Sequence, residues 1–232
     1  MTSIVETKKI DFKNPTALEG FPGVGLVGHI TVTYLVNALG LEEIGYITSD
    51  KIPPISLVLE GKVMPPLRIY GRPDMMLFIC DIAIPDFAIW EISGVIGEYL
   101  LSKGVRRSIS LAGIGVGQKS EKVWGAGTSE KMLEEHHLEA LPVGSITGMS
   151  GSLIAECIKL GIPSIGLLAE TIGDVPDPRA SANLVTTLNA VLSLKVDVEP
   201  LLREAELIEA RYSELVDDMK KIEHKEVSSM YG

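Results

Sequence analysis

Residues 16–28, TALEGFPGVGLVG, predict a β-strand that passes through a glycine-rich turn into an α-helix. The spacing of apolar residues over Val24–Leu39 is that of an amphipathic helix. Gly23, Gly25 and Gly28 give the pattern GxGxxG at the turn. This pattern is typical of turns that hold the pyrophosphate of a dinucleotide at a helix N-terminus. Dinucleotide binding is therefore the first hypothesis that the sequence raises.

Two features of the surrounding sequence oppose a dinucleotide site. Pro22 interrupts the step from the strand into the turn. A dinucleotide site also requires an acidic residue at the end of the next strand, about 20 positions on. Glu42 and Glu43 instead stand at the start of that predicted strand, and Asp50 follows it. We therefore interpret the glycines as a tight packing turn that brings helix and sheet close together, and we keep nucleotide binding as the alternative.

Predicted strands and helices alternate along most of the chain. Short apolar runs predict strands at Thr16–Phe21, Leu41–Thr48, Ile55–Glu60, Leu67–Tyr70, Met75–Cys80, Arg107–Ile114 and Ile162–Ala169. Helical spacing predicts helices at Val24–Leu39, Asp86–Lys103, Ser129–His137, Met149–Leu160 and Ala180–Leu194. This alternation predicts an α/β fold, a single-domain α/β sandwich with a central mixed sheet, over residues 1–196.

Residues 197–222 depart from this alternation and predict a C-terminal helix with a heptad pattern. Its apolar residues recur at spacings of four and three, as in helices that pair: Leu201, Ala205, Ile208, Tyr212, Leu215, Met219 and Ile222. Such a helix either packs on its own domain or joins subunits. We predict that the first six of these residues form an oligomer interface. Residues 223–232 are polar for most of their length and are predicted to form a flexible tail.

The composition restricts the classes of function. Asp and Glu total 31 against 21 Lys and Arg, and a formal net charge of −10 opposes binding to a nucleic-acid backbone. No stretch reaches the roughly 18 apolar residues of a membrane span, and the first residues lack the apolar core of a signal peptide. We therefore expect a cytoplasmic protein that binds neither nucleic acid nor membrane. Cys80 and Cys157 are predicted to be buried thiols.

The sequence offers no convincing catalytic or metal-binding constellation. His136 and His137 are adjacent, and adjacent helical residues point in different directions. No Cys, His or carboxylate cluster has the spacing of metal ligands. Ser150 and Ser152 lack the GxSxG pattern of hydrolases and are interpreted as helix caps. We therefore expect no cofactor, no metal and no catalytic residue.

The segment Asp177-Pro178-Arg179 precedes the last helix of the predicted core. Asp is favoured at the N-cap of a helix, and Pro is favoured at its first position, so we interpret the segment as a structural motif. The alternative is an anion or partner site built from Glu170, Asp177 and Arg179.

The sequence closes on Met230-Tyr231-Gly232. A Tyr side chain combines a flat apolar ring with a polar tip, and a terminal carboxylate adds one negative charge. Together these groups can fill a pocket and pair with a Lys at its edge. We therefore predict that these three residues bind a partner protein. An ordinary frayed end is the alternative.

Several motifs together resemble the proteasome assembly chaperone 2 family. They are GFPGVGLVG at residues 20–28, GIG at 113–115, ITGMSG at 146–151, and ET at 170–171 followed by PDPRA at 176–180. They occur in the order typical of the family and span most of the predicted core. The combination is much more specific than any one motif.

The resemblance implies an α/β fold related to nucleoside phosphorylases, without an established active site. It also implies a homo-oligomer that binds the α-subunits of the proteasome core particle, as an assembly chaperone or as an activator-like factor. Some archaeal members of this family carry a C-terminal hydrophobic–Tyr–any motif that enters pockets between α-subunits, and Met230-Tyr231-Gly232 matches it. The alternative function is a nucleoside phosphorylase-like enzyme or a nucleotide-binding protein that uses the Gly23–Gly28 loop, with Arg179 on the phosphate.

Overall fold

The computed structural model describes residues 1–59, 61–173 and 175–207. The strands are β1 (Ser3–Glu6), β2 (Thr16–Gly20), β3 (Glu42–Thr48), β4 (Leu57–Leu59), β5 (Lys62–Met64), β6 (Leu67–Arg72), β7 (Met75–Cys80), β8 (Arg107–Gly115), β9 (Val123–Gly127) and β10 (Ser164–Thr171). The helices are α1 (Val27–Ala38), α2 (Asp86–Ser102), α3 (Glu130–Glu135), α4 (Gly148–Leu160) and α5 (Pro178–Leu192), and residues 199–207 are also helical. None of these described helices combines the length and apolarity that a membrane crossing requires.

One mixed sheet forms the centre of the fold. Its strand order is β1-β3-β6-β7-β2-β8-β10-β9. The neighbours β7, β2, β8 and β10 run parallel to one another, whereas β1, β3, β6 and β9 pair antiparallel with their neighbours. The predicted α/β fold with a central mixed sheet is thereby confirmed. The strands β4 and β5 form a separate two-stranded hairpin.

Helices cover both faces of the sheet because side chains alternate along each strand. In β7, Leu77 and Ile79 pack in the apolar cluster that contains α1 and α5. Met76 and Phe78 pack in the opposite cluster, which contains α2 and α4. A strand that is buried on both faces reads as a continuous apolar run, and this is why the central strands are recognisable from the sequence.

The parallel strands bring their carboxyl ends to the same edge of the sheet. From β2 the chain passes through α1 to β3 on one side, and from β8 it passes through β9, α3 and α4 to β10 on the other. The connections therefore diverge between β2 and β8. In open α/β sheets such a point leaves a crevice at the carboxyl ends of the strands.

The sequence patterns do not predict β1, β5 or β9. The strands β1 and β9 lie at the two edges of the sheet, and β5 has three residues, so each has few apolar positions to form a pattern. The predicted helix Ser129–His137 is shorter in the structure, where α3 covers Glu130–Glu135. The backbone of His137 has a positive φ of 53°, which is incompatible with a continuing helix.

The first two heptad positions of the C-terminal segment pack on their own domain. Leu201 and Ala205 are 2% and 3% exposed, and Leu201 joins the apolar cluster of α1 and α5. These two residues therefore offer almost no surface to another subunit. The other predicted interface residues lie outside the described residues: Ile208, Tyr212, Leu215 and Met219.

Candidate functional site

The glycine-rich turn is hydrogen-bonded to the loop between β10 and α5. The Gly25 N–H donates to the Gly173 carbonyl at 3.1 Å, and the Gly25 carbonyl accepts from the Asp177 N–H at 2.9 Å. Gly25 has a φ of 62°, a left-handed conformation that favours glycine. In a dinucleotide-binding turn the backbone faces the ligand. Here the N–H and the carbonyl of Gly25 are instead hydrogen-bonded to the loop between β10 and α5.

Gly28 of the turn, Gly20 of β2 and Gly113 of β8 allow backbones to approach closely, whereas a Cβ at Gly23 would meet no atom closer than 4.0 Å. A Cβ atom at Gly28 would lie 2.1 Å from the carbonyl oxygen of Leu111 in β8. A Cβ at Gly20 would lie 2.1 Å from the carbonyl oxygen of Gly28, and one at Gly113 would lie 2.5 Å from that of Val24. These distances are shorter than any normal contact, so glycine is required for α1 to lie against β2 and β8.

Asp177 joins the glycine-rich turn to the start of α5. Its Oδ1 accepts from the Ala180 N–H at 3.0 Å, so that the side chain caps the helix, and Pro178 follows at the first helical position. Its Oδ2 accepts from the Thr171 hydroxyl at 2.7 Å. Both carboxylate oxygens thus have partners within the fold. Arg179 lies half-buried in the first turn of α5.

Glu170 stabilises a neighbouring loop. The indole Nε1–H of Trp124 donates to Glu170 Oε1 at 2.9 Å, and hydrogen bonds from Ser120 and Trp124 lower the pKa of Glu170. The Lys122 ammonium lies 3.5 Å from the centroid of the Trp124 ring, a cation–π contact. Glu170 and Asp177 therefore have different hydrogen-bond partners within the fold.

A cleft of about 380 Å³ lies at the carboxyl ends of β2 and β8. Its walls are residues 21–24, 111–115 and 145–150, together with Gly28 and Leu168. No charged side chain occurs among these lining residues. A phosphate group binds most strongly where Arg, Lys or a metal ion supplies positive charge. The cleft therefore provides apolar walls, hydroxyl groups and backbone groups but no cation for a phosphate.

Glu19 in β2 is a buried acid that the sequence analysis missed. Its side chain is 1% exposed and pairs in register with Ser110 of β8. Burial raises the pKa of the Glu19 carboxyl to about 7, and the nearby Ser150 and Ser110 hydroxyls and the Phe21 backbone amide oppose the shift. Neither carboxylate oxygen has a hydrogen bond of good geometry within the described part of the chain. The available signal in the sequence was a Glu within the short predicted strand Thr16–Phe21.

The serines of the ITGMSG motif lie inside α4, and their interpretation as helix caps is wrong. The N-cap of α4 is Thr147, and Ser150 and Ser152 are buried within the helix. The Ser152 hydroxyl is 2.6 Å from the Ser93 hydroxyl of α2, so it joins two helices. The helix begins at Gly148, whose φ is 68°, so both serines lie past its N-cap and inside its first turns.

The described residues contain no cluster of three or more His, Cys, Asp or Glu side chains that could hold a metal ion. Cys80 and Cys157 are free and buried, as the sequence predicts. Burial raises the pKa of Cys80 to about 12 and also raises that of Cys157, which disfavours the reactive thiolate of either residue. The predicted partner-binding residues Met230, Tyr231 and Gly232 lie outside the described residues.

A family model and a curated protein both match most of this chain. The model of the PAC2 family matches residues 17–216. An uncharacterized protein of Methanocaldococcus jannaschii is 39% identical over 223 residues, which are 95% of this chain and 93% of that protein.

Two solved structures from Pyrococcus furiosus share the fold. PbaA, described as an archaeal homolog of proteasome-assembly chaperone, is 44% identical, with a TM-score of 0.86 over 96% of this chain and 95% of its own. PbaB, described as an archaeal proteasome activator, has a TM-score of 0.83 at 22% identity, over 92% of this chain and 98% of its own. At that identity the likeness to PbaB speaks for the fold alone.

Proposed function

The chain belongs to the PAC2 family, and on this basis we propose that it is a non-enzymatic proteasome-binding protein, an assembly chaperone or an activator-like factor. The observation that carries the proposal is the 44% identity to PbaA over almost the whole chain, with a TM-score of 0.86. PbaA is described as a homolog of proteasome-assembly chaperone. A shared fold alone would not support a shared function, but identity at this level over the full length does.

The geometry of the glycine-rich turn supports a role without catalysis. The turn that resembles a nucleotide site uses its backbone to bind the loop before α5, and two of its glycines, Gly25 and Gly28, leave no room for a Cβ atom. The adjacent cleft has no charged lining residue. An enzyme of the nucleoside phosphorylase type would need groups that hold and polarise phosphate at this position.

We place the docking element in the last three residues, Met230-Tyr231-Gly232. The ring of Tyr231 would fill a pocket between α-subunits of the core particle, and the terminal carboxylate would pair with a basic residue at its edge. A short segment loses conformational freedom when it binds, so one such contact is weak. Several copies on one homo-oligomer would bind together, because the first contact raises the effective concentration of the others.

The chain then divides into three functional parts. Residues 1–196 form the α/β core domain, residues 197–222 form a helix with the heptad pattern, and residues 223–232 form the proteasome-binding tail. Because Leu201 and Ala205 are buried in their own domain, a contact between subunits along the heptad pattern would involve its later residues.

A pull-down of the proteasome core particle tests this proposal. We expect the full chain to retain core particle, and we expect a chain that lacks residues 230–232 to retain none while it keeps the same melting temperature. A C-terminal affinity tag should block binding as the deletion does, whereas an N-terminal tag should not. Equal retention by the full and the shortened chain would place docking on the globular body, and no retention by either would reject proteasome binding.

A further inference from the structure

Buried polar atoms without a hydrogen-bond partner lie together near the carboxyl ends of β2 and β8. Within the described part of the chain they are both carboxylate oxygens of Glu19 and the hydroxyl of Ser110. The two residues stand opposite each other in the register of the strands. A buried polar group without a partner costs about 1–3 kcal/mol. Such a group therefore requires an explanation, and a role in binding is one.

The Glu19 carboxyl lies directly behind the wall of the cleft described above. Its neighbour Leu18 packs in the cluster of α1 and α5, so the Glu19 side chain lies on the other face of β2, which α4 covers. The Ser150 hydroxyl and the Phe21 N–H both act on the Glu19 carboxyl as donors. Both of these residues line the cleft. Ser150 thus connects the buried acid to the cleft.

The helix α4 begins in the same wall. Residues 148–150, its first three, all line the cleft. The N-cap residue Thr147 makes no side-chain hydrogen bond to the first turn. The first N–H groups of a helix have no acceptor within the helix, and they carry a partial positive charge. The cleft therefore has N–H donors at the start of α4, beside the Ser150 hydroxyl.

These polar groups fit a ligand that both donates and accepts hydrogen bonds. The Ser150 hydroxyl has one proton, and once it donates this proton to Glu19, its oxygen can only accept from a ligand. The N–H groups of α4 can only donate, so the ligand must also carry an acceptor. A primary carboxamide presents an N–H donor and a carbonyl acceptor on one carbon atom. It is also uncharged, which suits a cleft with no charged side chain among its described lining residues.

The rest of the cleft suits an apolar body of limited size. Its large side chains are apolar: Phe21, Val24, Leu111, Ile114, Ile146, Met149 and Leu168. Small-molecule sites have volumes of about 300–1,000 Å³, mostly apolar walls and a few polar groups that fix the orientation of the ligand. The cleft, at about 380 Å³, lies at the small end of this range. It therefore suits one ring with a short substituent rather than a nucleoside or a dinucleotide.

We propose that this cleft binds a small uncharged molecule that carries a primary carboxamide on an apolar body. The amide N–H donates to the Ser150 hydroxyl oxygen, and the amide carbonyl accepts from the N–H groups at the start of α4. Glu19 is a positioning residue, because it takes the Ser150 proton and leaves the Ser150 oxygen to the ligand. The inference goes beyond proteasome binding and does not depend on it.

Saturation-transfer-difference NMR of the full chain tests the proposal, with benzamide as the probe. We expect the benzamide signal to saturate as its concentration rises. Benzoate has the same shape, but it lacks the N–H donor and brings a negative charge close to Glu19. We therefore expect benzoate to bind at least about 10-fold more weakly than benzamide.

Ser150→Ala removes the hydroxyl that accepts from the amide, and it should weaken benzamide binding by about 10-fold. Ser152→Ala is the matched control, because Ser152 lies in the same helix and is also buried. Its hydroxyl contacts Ser93 of α2, and it does not line the cleft. This variant should bind benzamide as the wild type does.

Ala112→Leu tests the place of binding independently of Ser150. Ala112 of β8 lines the cleft, so the larger side chain takes up part of its volume and should abolish the benzamide signal. The melting temperature of each variant checks that it is folded. The proposal is overturned by a benzamide signal that does not saturate, by equal binding of benzamide and benzoate, by equal affinity in Ser150→Ala and Ser152→Ala, or by wild-type affinity in Ala112→Leu.

Discussion

The substitution Gly28→Ala tests whether the glycine-rich motif serves packing. The added Cβ would lie 2.1 Å from the carbonyl oxygen of Leu111 and 3.0 Å from its carbonyl carbon. A normal carbon–oxygen contact is more than 1 Å longer than the first of these distances. Both obstructing atoms belong to the backbone of a central strand, so no side chain can rotate away. The helix α1 must therefore shift from β8, where it is packed between β2 and α5.

The expected cost follows from the rigidity of this contact. Overpacking a core costs about 1–3 kcal/mol, and a clash between two backbones belongs at the upper end of that range, about 3 kcal/mol. For a protein of this length such a loss lowers the melting temperature by about 6–12 °C. Urea denaturation gives the free energy of unfolding, and differential scanning calorimetry gives the melting temperature.

Gly94→Ala is the matched control for Gly28→Ala. Gly94 also lies in a helix, α2, but a Cβ there meets no atom within 4 Å. This variant should be more stable than the wild type by about 0.5–1 kcal/mol, because Ala is the better helix former. If Gly28→Ala unfolds at the same urea concentration as Gly94→Ala, the packing explanation of the motif is refuted.

Three further predictions concern the same region. Gly25→Ala should lower the free energy of unfolding by about 1–3 kcal/mol, because Ala is strained at a φ of 62° and its Cβ would lie 2.7 Å from the Thr171 hydroxyl. In a thermal-shift assay, NAD, phosphate and nucleosides should leave the melting temperature of the wild type unchanged. The pKa of Glu19 is about 7 in the folded protein, against 4.5 for an unperturbed Glu, which represents the unfolded chain. Between pH 4.5 and 7 the folded state therefore binds more protons than the unfolded state. The free energy of unfolding should fall as pH rises through this range, by an amount on the order of 3 kcal/mol. Glu19→Gln should remove this dependence in urea titrations from pH 4.5 to 8. Asp177→Ala should cost about 1–2 kcal/mol through the lost cap of α5, whereas Asp177→Asn, which can still cap the helix, should cost less.

The sequence predicts the central strands and the long helices well because burial determines their patterns. Met75–Cys80 is predicted with the bounds that the structure has, since every residue of β7 is buried on one face or the other. The edge strand β9 is missed because VWGAG contains two glycines and is held in place by its pairing with β10 and by contacts with the segment at Glu139 and Ala140. Pairing between distant segments is a property of the assembled sheet, and no local pattern reports it.

In the candidate site too, the sequence predicts local contacts but not contacts between distant segments. The capping role of Asp177 is local, and the sequence predicts it from the neighbouring Pro178. The partners of the glycine-rich turn are more than 140 positions away, so neither the Gly173 contact nor the Asp177 contact can be derived from the turn itself. The burial of Glu19 likewise depends on which face of β2 is covered by α4, and this is known only once the helices are placed.

The affinity of the chain for the proteasome core particle tests the central claim most directly. Core particle is immobilised, and surface plasmon resonance compares the wild type with Tyr231→Ala and with Tyr231→Phe, which keeps the ring. If Tyr231 is the anchor of the contact, its truncation costs at least about 2 kcal/mol, or about 30-fold in affinity, and Tyr231→Phe retains most of the binding. The affinity of the wild type should also fall as salt rises, because a carboxylate pairs with a basic residue at the pocket. We expect all three proteins to have the same melting temperature, and binding by Tyr231→Ala as tight as that of the wild type would contradict the account.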